Sequence, residues 1–240
     1  MEDSFHLHDN ISEDISSNTA GLLNIDLGMT RGLSNTYEGL AGSPRAELKD
    51  FYKSYLETTI RKEDHYLAFW ISLELQEIDP TYTKDYGRVT WLYDKLSGEY
   101  EFKSERRDTD PQNLSPQYQA IKKTKLESLA DPYYYFPTYS NASVDSLMET
   151  TIGVPVFNKE EVIGTAGIDF NLEQLQSLGL HISKDDTLHA IIFSNNGTIV
   201  THENQENIGK TIAELGVFNE ELDEIINVIK KGSEKRFSKM

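Results

Sequence analysis

The sequence contains no cysteine, which removes disulfides, thiolate metal ligands and cysteine nucleophiles in one step. It has no apolar run near the roughly 20 residues that a membrane-spanning helix needs, and no leader-like pattern follows Met1. Basic residues are scarce: 23 stand against 40 acidic ones, giving a net charge of −17. Such a surface repels a phosphate backbone and argues against nucleic acid as a partner. No HExxH helix, Walker loop, GxGxxG turn or serine nucleophile elbow is present. His6, His8 and Asp9 look metal-like, but helical residues two apart point to nearly opposite faces, so no site is assigned to them. His65, His181, His189 and His202 are scattered without ligand spacing. Neither a metal nor a cofactor is expected. Carboxylates are abundant, and nothing in the sequence marks out a pair for glycoside chemistry.

What is present is length and alternating order. A chain of 240 residues can build one large or two modest cores. Ile11, Ile15, Leu22, Ile25, Met29, Leu33, Tyr37 and Leu40 recur at helical spacing and predict a long amphipathic helix over 11–40. Ala41-Gly42 ends it, and Ser43-Pro44 reads as the cap and first residue of a second helix buried through Leu48, Phe51, Tyr52, Tyr55, Leu56 and Ile60. Residues 66–78 read as a strand, and 86–93 with 99–107 as a hairpin whose turn is taken by Gly98. Ser115-Pro116 opens a helix through residue 125. Residues 146–157 and 161–170 form a second hairpin around Asn158-Lys159-Glu160, broken by Gly164 and Gly167. Asp169 closes it, and Asn171 is placed to cap a helix bearing Leu172, Leu175 and Leu178. A smaller unit follows, with strands at 187–193 and 198–202 around Asn195-Asn196-Gly197, then helices at 210–215 and 219–231. This order describes an α+β fold with a mixed or antiparallel sheet.

The chemistry concentrates between residues 131 and 178. Tyr133, Tyr134, Tyr135 and Tyr139, with Phe136, crowd one short stretch, and aromatic walls with a few polar groups are what small-ligand pockets use. Any one of these tyrosines is as readily a packing residue on the sheet. Asp169, at a strand end beside this loop, supplies a carboxylate.

The elements Pro132-Tyr133, Pro155-Val156, the strand from Val162 to Asp169 with its GxxGxD pattern, and Leu172 resemble the membrane-distal half of the double Cache (dCache) extracytoplasmic sensor domains of microbial chemoreceptors and histidine kinases. The resemblance resumes in the Asn-Gly turn at 196–197, His202 and Ile208-Gly209-Lys210, and covers roughly the last half of the chain. It implies a long N-terminal helix and two Cache (PAS-like) modules with central antiparallel sheets, the second of them truncated. The implied division is a helical stalk at 1–63, a ligand-binding membrane-distal module at 64–180 and a partial membrane-proximal module at 181–240. It also implies that the flanking membrane helices lie outside the chain and that Met1 is an expression start.

By the same resemblance Tyr118, Tyr133 and Asp169 match ligand-pocket positions, Asp169 being the carboxylate that takes a ligand amine in amino-acid sensors. Tyr135 stands where those sensors have a loop acid, and Leu114 and Gln117 stand where they have an Arg and a Trp. Without that Arg, a bound carboxylate loses its bidentate clamp. The expected ligand is therefore a small amine, a polyol or another donor-rich metabolite held by Tyr118, Tyr133, Tyr135 and Asp169. A dianion is disfavoured unless Arg88, Arg106 or Arg107 reaches in. The implied role is a non-enzymatic extracytoplasmic sensor domain of a transmembrane signal transducer, with a homodimer formed in the full-length receptor. An adhesin or scaffold with an aromatic patch, or a secreted hydrolase, are the competing classes.

Overall fold

The computed structural model describes residues 2–96, 98–135, 147–172, 191–216 and 221–232, with side chains from residue 12 onward. Helix α1 (Glu2–Leu40) is continuous over 39 residues. The chain reverses through Gly42, whose φ of 87° suits glycine. Helix α2 (Arg45–Ile60) then starts one residue later than the sequence suggests. Pro44 keeps an extended ψ of 141° and is itself the N-cap, with no side-chain cap at this end. Ser43 is therefore not the capping residue. Its place is taken by a proline, which has no N–H to satisfy and needs no helical ψ of its own there.

Seven strands form one antiparallel sheet. Strand β1 (Tyr66–Glu74) ends in a single helical turn, α3 (Leu75–Ile78), rather than running on to residue 78. Leu75 and Ile78 are buried by that turn. Strands β2 (Arg88–Asp94) and β3 (Glu101–Arg107) form the expected hairpin. Helix α4 (Pro116–Thr124) is capped by the Ser115 hydroxyl, which accepts from the Tyr118 N–H. Short strands β4 (Ser128–Leu129) and β5 (Tyr133–Tyr135) both pair with β6 (Leu147–Asn158), which turns through Lys159 and Glu160 into β7 (Glu161–Asn171). The order is β3-β2-β1-β7-β6-β4, so the sequence-distant β1 and β7 meet at the centre.

Alternation along the strands gives the sheet two different faces. Phe69, Ile71 and Leu73 of β1, Trp91 of β2, Ile152, Val154 and Val156 of β6, and Ile168 and Phe170 of β7 form an apolar face. Helices α1 and α2 cover it with Leu33, Tyr37, Leu48, Tyr52, Leu56 and Ile60, and Tyr52 stacks on Trp91 with ring centres 5.8 Å apart. The other face carries the polar residues and opens onto a cavity.

The buried side of α1 is not the stripe its apolar spacing suggests. Ile25 is 61% exposed, whereas Asp26, Thr30 and Ser34 are buried. Each has a partner: the Thr30 hydroxyl donates to the Asp26 carbonyl at 2.8 Å, and the Ser34 hydroxyl to the Pro155 carbonyl at 2.7 Å. The Asp26 carboxylate accepts from the Tyr66 hydroxyl at 2.6 Å and faces His65 Nε2 at 3.1 Å. Satisfied polar groups can be buried at little net cost, and this turns the helix past Ile25.

The second unit is a hairpin of β8 (Ile192–Phe193) and β9 (Ile199–Thr201), turning through Gly197. Two 3-10 turns (Gln205–Asn207 and Ile212–Leu215) and helix α5 (Leu222–Lys231) follow. The expected helix at 210–215 is thus a 3-10 turn, closed by a Thr211–Glu214 capping box. Asn171 is the last residue of β7; Leu175, Leu178, Phe136 and Tyr139 lie outside the described residues. Among the described residues no helix is long and apolar enough to cross a membrane.

The polar junction of α1 with β1 is testable. Tyr66→Phe strands the buried Asp26 carboxylate beside His65, and loss of such a donor costs about 1–3 kcal/mol. Urea denaturation should show that loss with an unchanged m-value, while Ile25→Ala should leave stability within roughly 0.5 kcal/mol.

Candidate functional site

The polar face of the sheet, α4 and the β5 edge border a half-open cavity of about 230 Å³. Its lining includes all four residues singled out from the sequence: Tyr118 on α4, Tyr133 and Tyr135 on β5, and Asp169 on β7. They arrive by separate routes. Tyr118 is set by the Ser115 cap of α4, the two β5 tyrosines by pairing with Leu147 and Glu149 of β6, and Asp169 by pairing with Ala68 and Thr151.

Asp169 lies at the centre. Its Oδ1 accepts from the Trp70 indole N–H at 3.0 Å and from the Thr151 hydroxyl at 2.7 Å. Burial pushes the Asp169 carboxyl above the usual carboxylate range, and these two donors oppose the rise. Gly167 explains how the indole gets there. It pairs directly with Trp70, and a Cβ at this position would stand 2.2 Å from Trp70 Cζ2. The missing side chain lets the indole lie over the strand and reach two residues on to Asp169. Gly164 plays a different part, because a Cβ there would stand 2.3 Å from the Ser72 carbonyl. The GxxGxD pattern thus combines close strand approach, an aromatic seat and a carboxylate in one strand.

Tyr118 is buried, with its hydroxyl donating to Glu74 Oε1 at 2.5 Å, and Lys122 pairs with the same carboxylate. Burial, followed by the Glu74 contact, pushes its phenol pKa up. Its ring is covered by the Arg88 guanidinium, 4.0 Å from the ring centre. Arg88 is also ion-paired to Asp108 at 2.9 Å and donates to Ser72 at 3.0 Å. Arg88 and Arg107 both line the cavity; Arg106, one position out of phase on β3, does not. Arg107 pairs with Glu105. Tyr133 turns its hydroxyl inward to Thr151 Oγ1 at 2.8 Å, while Tyr134 is 59% exposed.

Sequence reasoning did not identify Trp70, Thr151 or Glu149 as lining residues; Arg88 and Arg107 were named only as arginines that could reach in, and Gln117 only as a departure from the resembling sensors. One signal was available: Glu149, Thr151 and Gly153 alternate along an otherwise apolar strand, and a buried acid on such a strand asks for a reason. Glu149 is only 2% exposed. Gln117 Nε2 is buried at the cavity wall with no acceptor among the described residues, and an acceptor atom of a bound molecule would satisfy it. Among the described residues no group of histidines and carboxylates is arranged to hold a metal.

No family model matches the sequence, and no curated protein does. Solved structures do match. The extracellular domain assigned to the histidine kinase mmHK1S-Z3 superposes with a TM-score of 0.73 at 22% identity, over 95% of this chain and 81% of that one. The periplasmic sensory domain of the Campylobacter jejuni chemoreceptor Tlp1 gives 0.64 at 15% identity, over 92% and 79%. The ligand-binding domain of the Pseudomonas aeruginosa PAO1 amino acid chemoreceptor PctC, in complex with GABA, gives 0.57 at 16% identity, over 88% and 80%. The chain therefore has the α+β fold of the double Cache sensor domains.

The seat of the indole gives a direct test. Gly167→Ala should displace Trp70 and remove its hydrogen bond to Asp169, seen as a change in tryptophan emission that is abolished in a Trp70→Phe background. An unchanged spectrum in Gly167→Ala would show that the indole does not occupy that seat.

Proposed function

We propose that this chain is the extracytoplasmic ligand-binding domain of a transmembrane signal transducer, a chemoreceptor or histidine kinase, and that it binds rather than transforms a small molecule. The observation that carries this reading is the half-open cavity over Asp169, in a fold shared with sensor domains. The same cavity counts against an aromatic docking patch, since Tyr118, Tyr133 and Tyr135 line it, although Tyr133 is 37% exposed. We assign residues 1–63 to a helical stalk, 64–180 to the membrane-distal ligand-binding module and 181–240 to a membrane-proximal module.

The ligand is a small amine, polyol or similar donor-rich metabolite. Its donor end meets Asp169 among aromatic rings, which favour positive charge, and its acceptor end meets Gln117. One of the similar structures holds GABA, which carries an amine. The Arg88 guanidinium is already taken by Asp108, Ser72 and the Tyr118 ring, so it offers little to a second carboxylate.

Signal transfer uses the β4–β5 stretch. Tyr133 and Tyr135 line the ligand cavity, while Leu129, Ala130 and Pro132 line a second, mostly apolar cavity of about 380 Å³ against Leu22 of α1 and Phe193 and Val200 of the β8–β9 unit. Closure on a ligand moves one stretch of chain at both places, which biases the arrangement of α1 and the second unit.

A thermal-shift screen of amines and polyols tests the site. A ligand at a hundredfold excess over Kd stabilises the domain by about 2.7 kcal/mol, roughly 5–10 °C at this size. The shift should vanish in Asp169→Ala and in Tyr118→Ala, both still folded by circular dichroism. A stabilising ligand that keeps its full shift in both variants refutes the assignment.

A further inference from the structure

The cavity between α1, the β4–β5 stretch and the β8–β9 hairpin is the larger of the two discussed above, at about 380 Å³. Its outer wall is fastened to the sheet by two contacts. The Asn196 N–H donates to Asp131 Oδ1 at 3.3 Å, and Met148 of β6 packs against Gly209, where a Cβ would collide with the Met148 sulfur. Gly209 also has a φ of 84°, so glycine suits this position on two counts. The hairpin is thereby seated on β6, and the space behind it is bounded by specific contacts.

The walls of this space are apolar in effect. Leu22, Leu23, Pro132, Ile192, Phe193 and Val200 supply most of the surface. The hydroxyls among them are turned to their own chain: Thr150 donates to the Ala130 carbonyl at 2.6 Å, Ser194 to Asn196 Oδ1 at 2.6 Å, and Thr201 Oγ1 accepts the Ile192 N–H at 3.1 Å. Such groups ask nothing of an occupant. Leu129 lines the same space and is 52% exposed, which marks a way in from solvent.

One polar group stands apart. Asp26 lines the cavity and is only 4% exposed. Among the described residues its two side-chain hydrogen bonds, from the Tyr66 hydroxyl at 2.6 Å and with His65 Nε2 at 3.1 Å, both converge on Oδ1. A carboxylate has about four acceptor positions, so this one keeps capacity for a further donor. The His65 ring is held in place between Tyr66 and Phe170, at 4.4 and 6.2 Å between ring centres. The acceptor is therefore presented by a rigid group at the edge of an apolar space.

We propose that this cavity is a second ligand site, for a small amphipathic molecule with an aryl or short alkyl body and a single hydrogen-bond-donating head, an amine or an alcohol. The body replaces solvent along Leu22, Phe193 and Val200, and the head donates to Asp26. An apolar cavity of roughly 150 Å³ already holds a benzene ring, so this one has room for a ring with a chain. A carboxylate head is rejected, because it would bring a second acceptor against Asp26 in an apolar surrounding. The chemistry differs from that of the Asp169 cavity, whose walls are mostly polar, and the proposal does not depend on what binds there.

The probes are phenylethylamine, phenylbutylamine and phenylbutanol, with phenylbutyrate as the carboxylate of the longer skeleton. Titration calorimetry on the whole chain should show phenylbutylamine and phenylbutanol binding with a Kd below about 1 mM, and phenylbutyrate at least tenfold more weakly. Phenylethylamine buries two methylene groups fewer and should bind roughly tenfold more weakly than the longer amine. Asp26→Asn keeps an acceptor for the Tyr66 hydroxyl and should weaken phenylbutylamine at least tenfold. Leu22→Trp and Val200→Trp push an indole into the cavity from opposite walls, and each should abolish binding; either serves if the other does not fold. Asp169→Ala should leave the phenylbutylamine Kd within twofold of wild type, which separates this site from the first cavity. The proposal is overturned if neither the longer amine nor the alcohol binds, if phenylbutyrate binds as well as they do, or if affinity is indifferent to chain length. It is equally overturned if the folded tryptophan variants keep the binding. None of these outcomes touches the thermal-shift test at Asp169 and Tyr118, so a failure here leaves the sensor reading standing.

Discussion

The structure depends on one constraint, that both faces of a single antiparallel sheet are covered, but by different chemistry. On one side α1 and α2 seal a continuous apolar layer from Leu33 through Trp91 to Phe170. On the other, the same strands present Trp70, Arg88, Glu149, Thr151 and Asp169 to a cavity. Because strand side chains alternate, neither face can change without shifting the other, and register is held by the apolar layer. The cavity's polar groups are therefore placed by packing energy spent on the opposite face. This is how a carboxylate can be kept in a costly buried position without local distortion.

The polar face is built from pairs that limit one another's freedom. Arg88 is fixed between Asp108, Ser72 and the Tyr118 ring, and Asp108 also accepts the backbone N–H of Ser115 at 3.0 Å. The end of β3 and the start of α4 are thereby tied to the wall of the cavity. Tyr118 in turn is anchored to Glu74 at the end of β1. Under the proposed sensor reading, a ligand entering this cavity would meet groups already oriented, which lowers the entropy lost on binding.

Much of the architecture was legible because it is local. The β6–β7 hairpin follows from β-branched residues around a polar reversal, the α4 cap from Ser115-Pro116, and the β2–β3 turn from Gly98. Errors arose where local signals met long-range contacts. Ile25 fits an apolar stripe by spacing, yet Asp26 takes the buried place, because Tyr66, 40 residues away, supplies its hydrogen bond. The strand expected to reach residue 78 turns at Leu75, whose N–H finds the Gly87 carbonyl at 2.9 Å. Spacing reports which residues could share a face, and partners determine which face is buried.

The sequence by itself determined the element order, the glycine-bearing strand that ends in Asp169 and the tyrosines brought toward it, since each depends on residues close together in the chain. Only the tertiary structure decided what surrounds that carboxylate. Trp70 reaches Asp169 because β1 and β7, some hundred residues apart, pair with Trp70 opposite Gly167. Tyr133, Thr151 and Asp169 share a hydrogen-bonded chain because β5, β6 and β7 meet in one register. Cross-strand neighbours are fixed by pairing, and pairing between distant segments leaves no periodic trace in the sequence of either one.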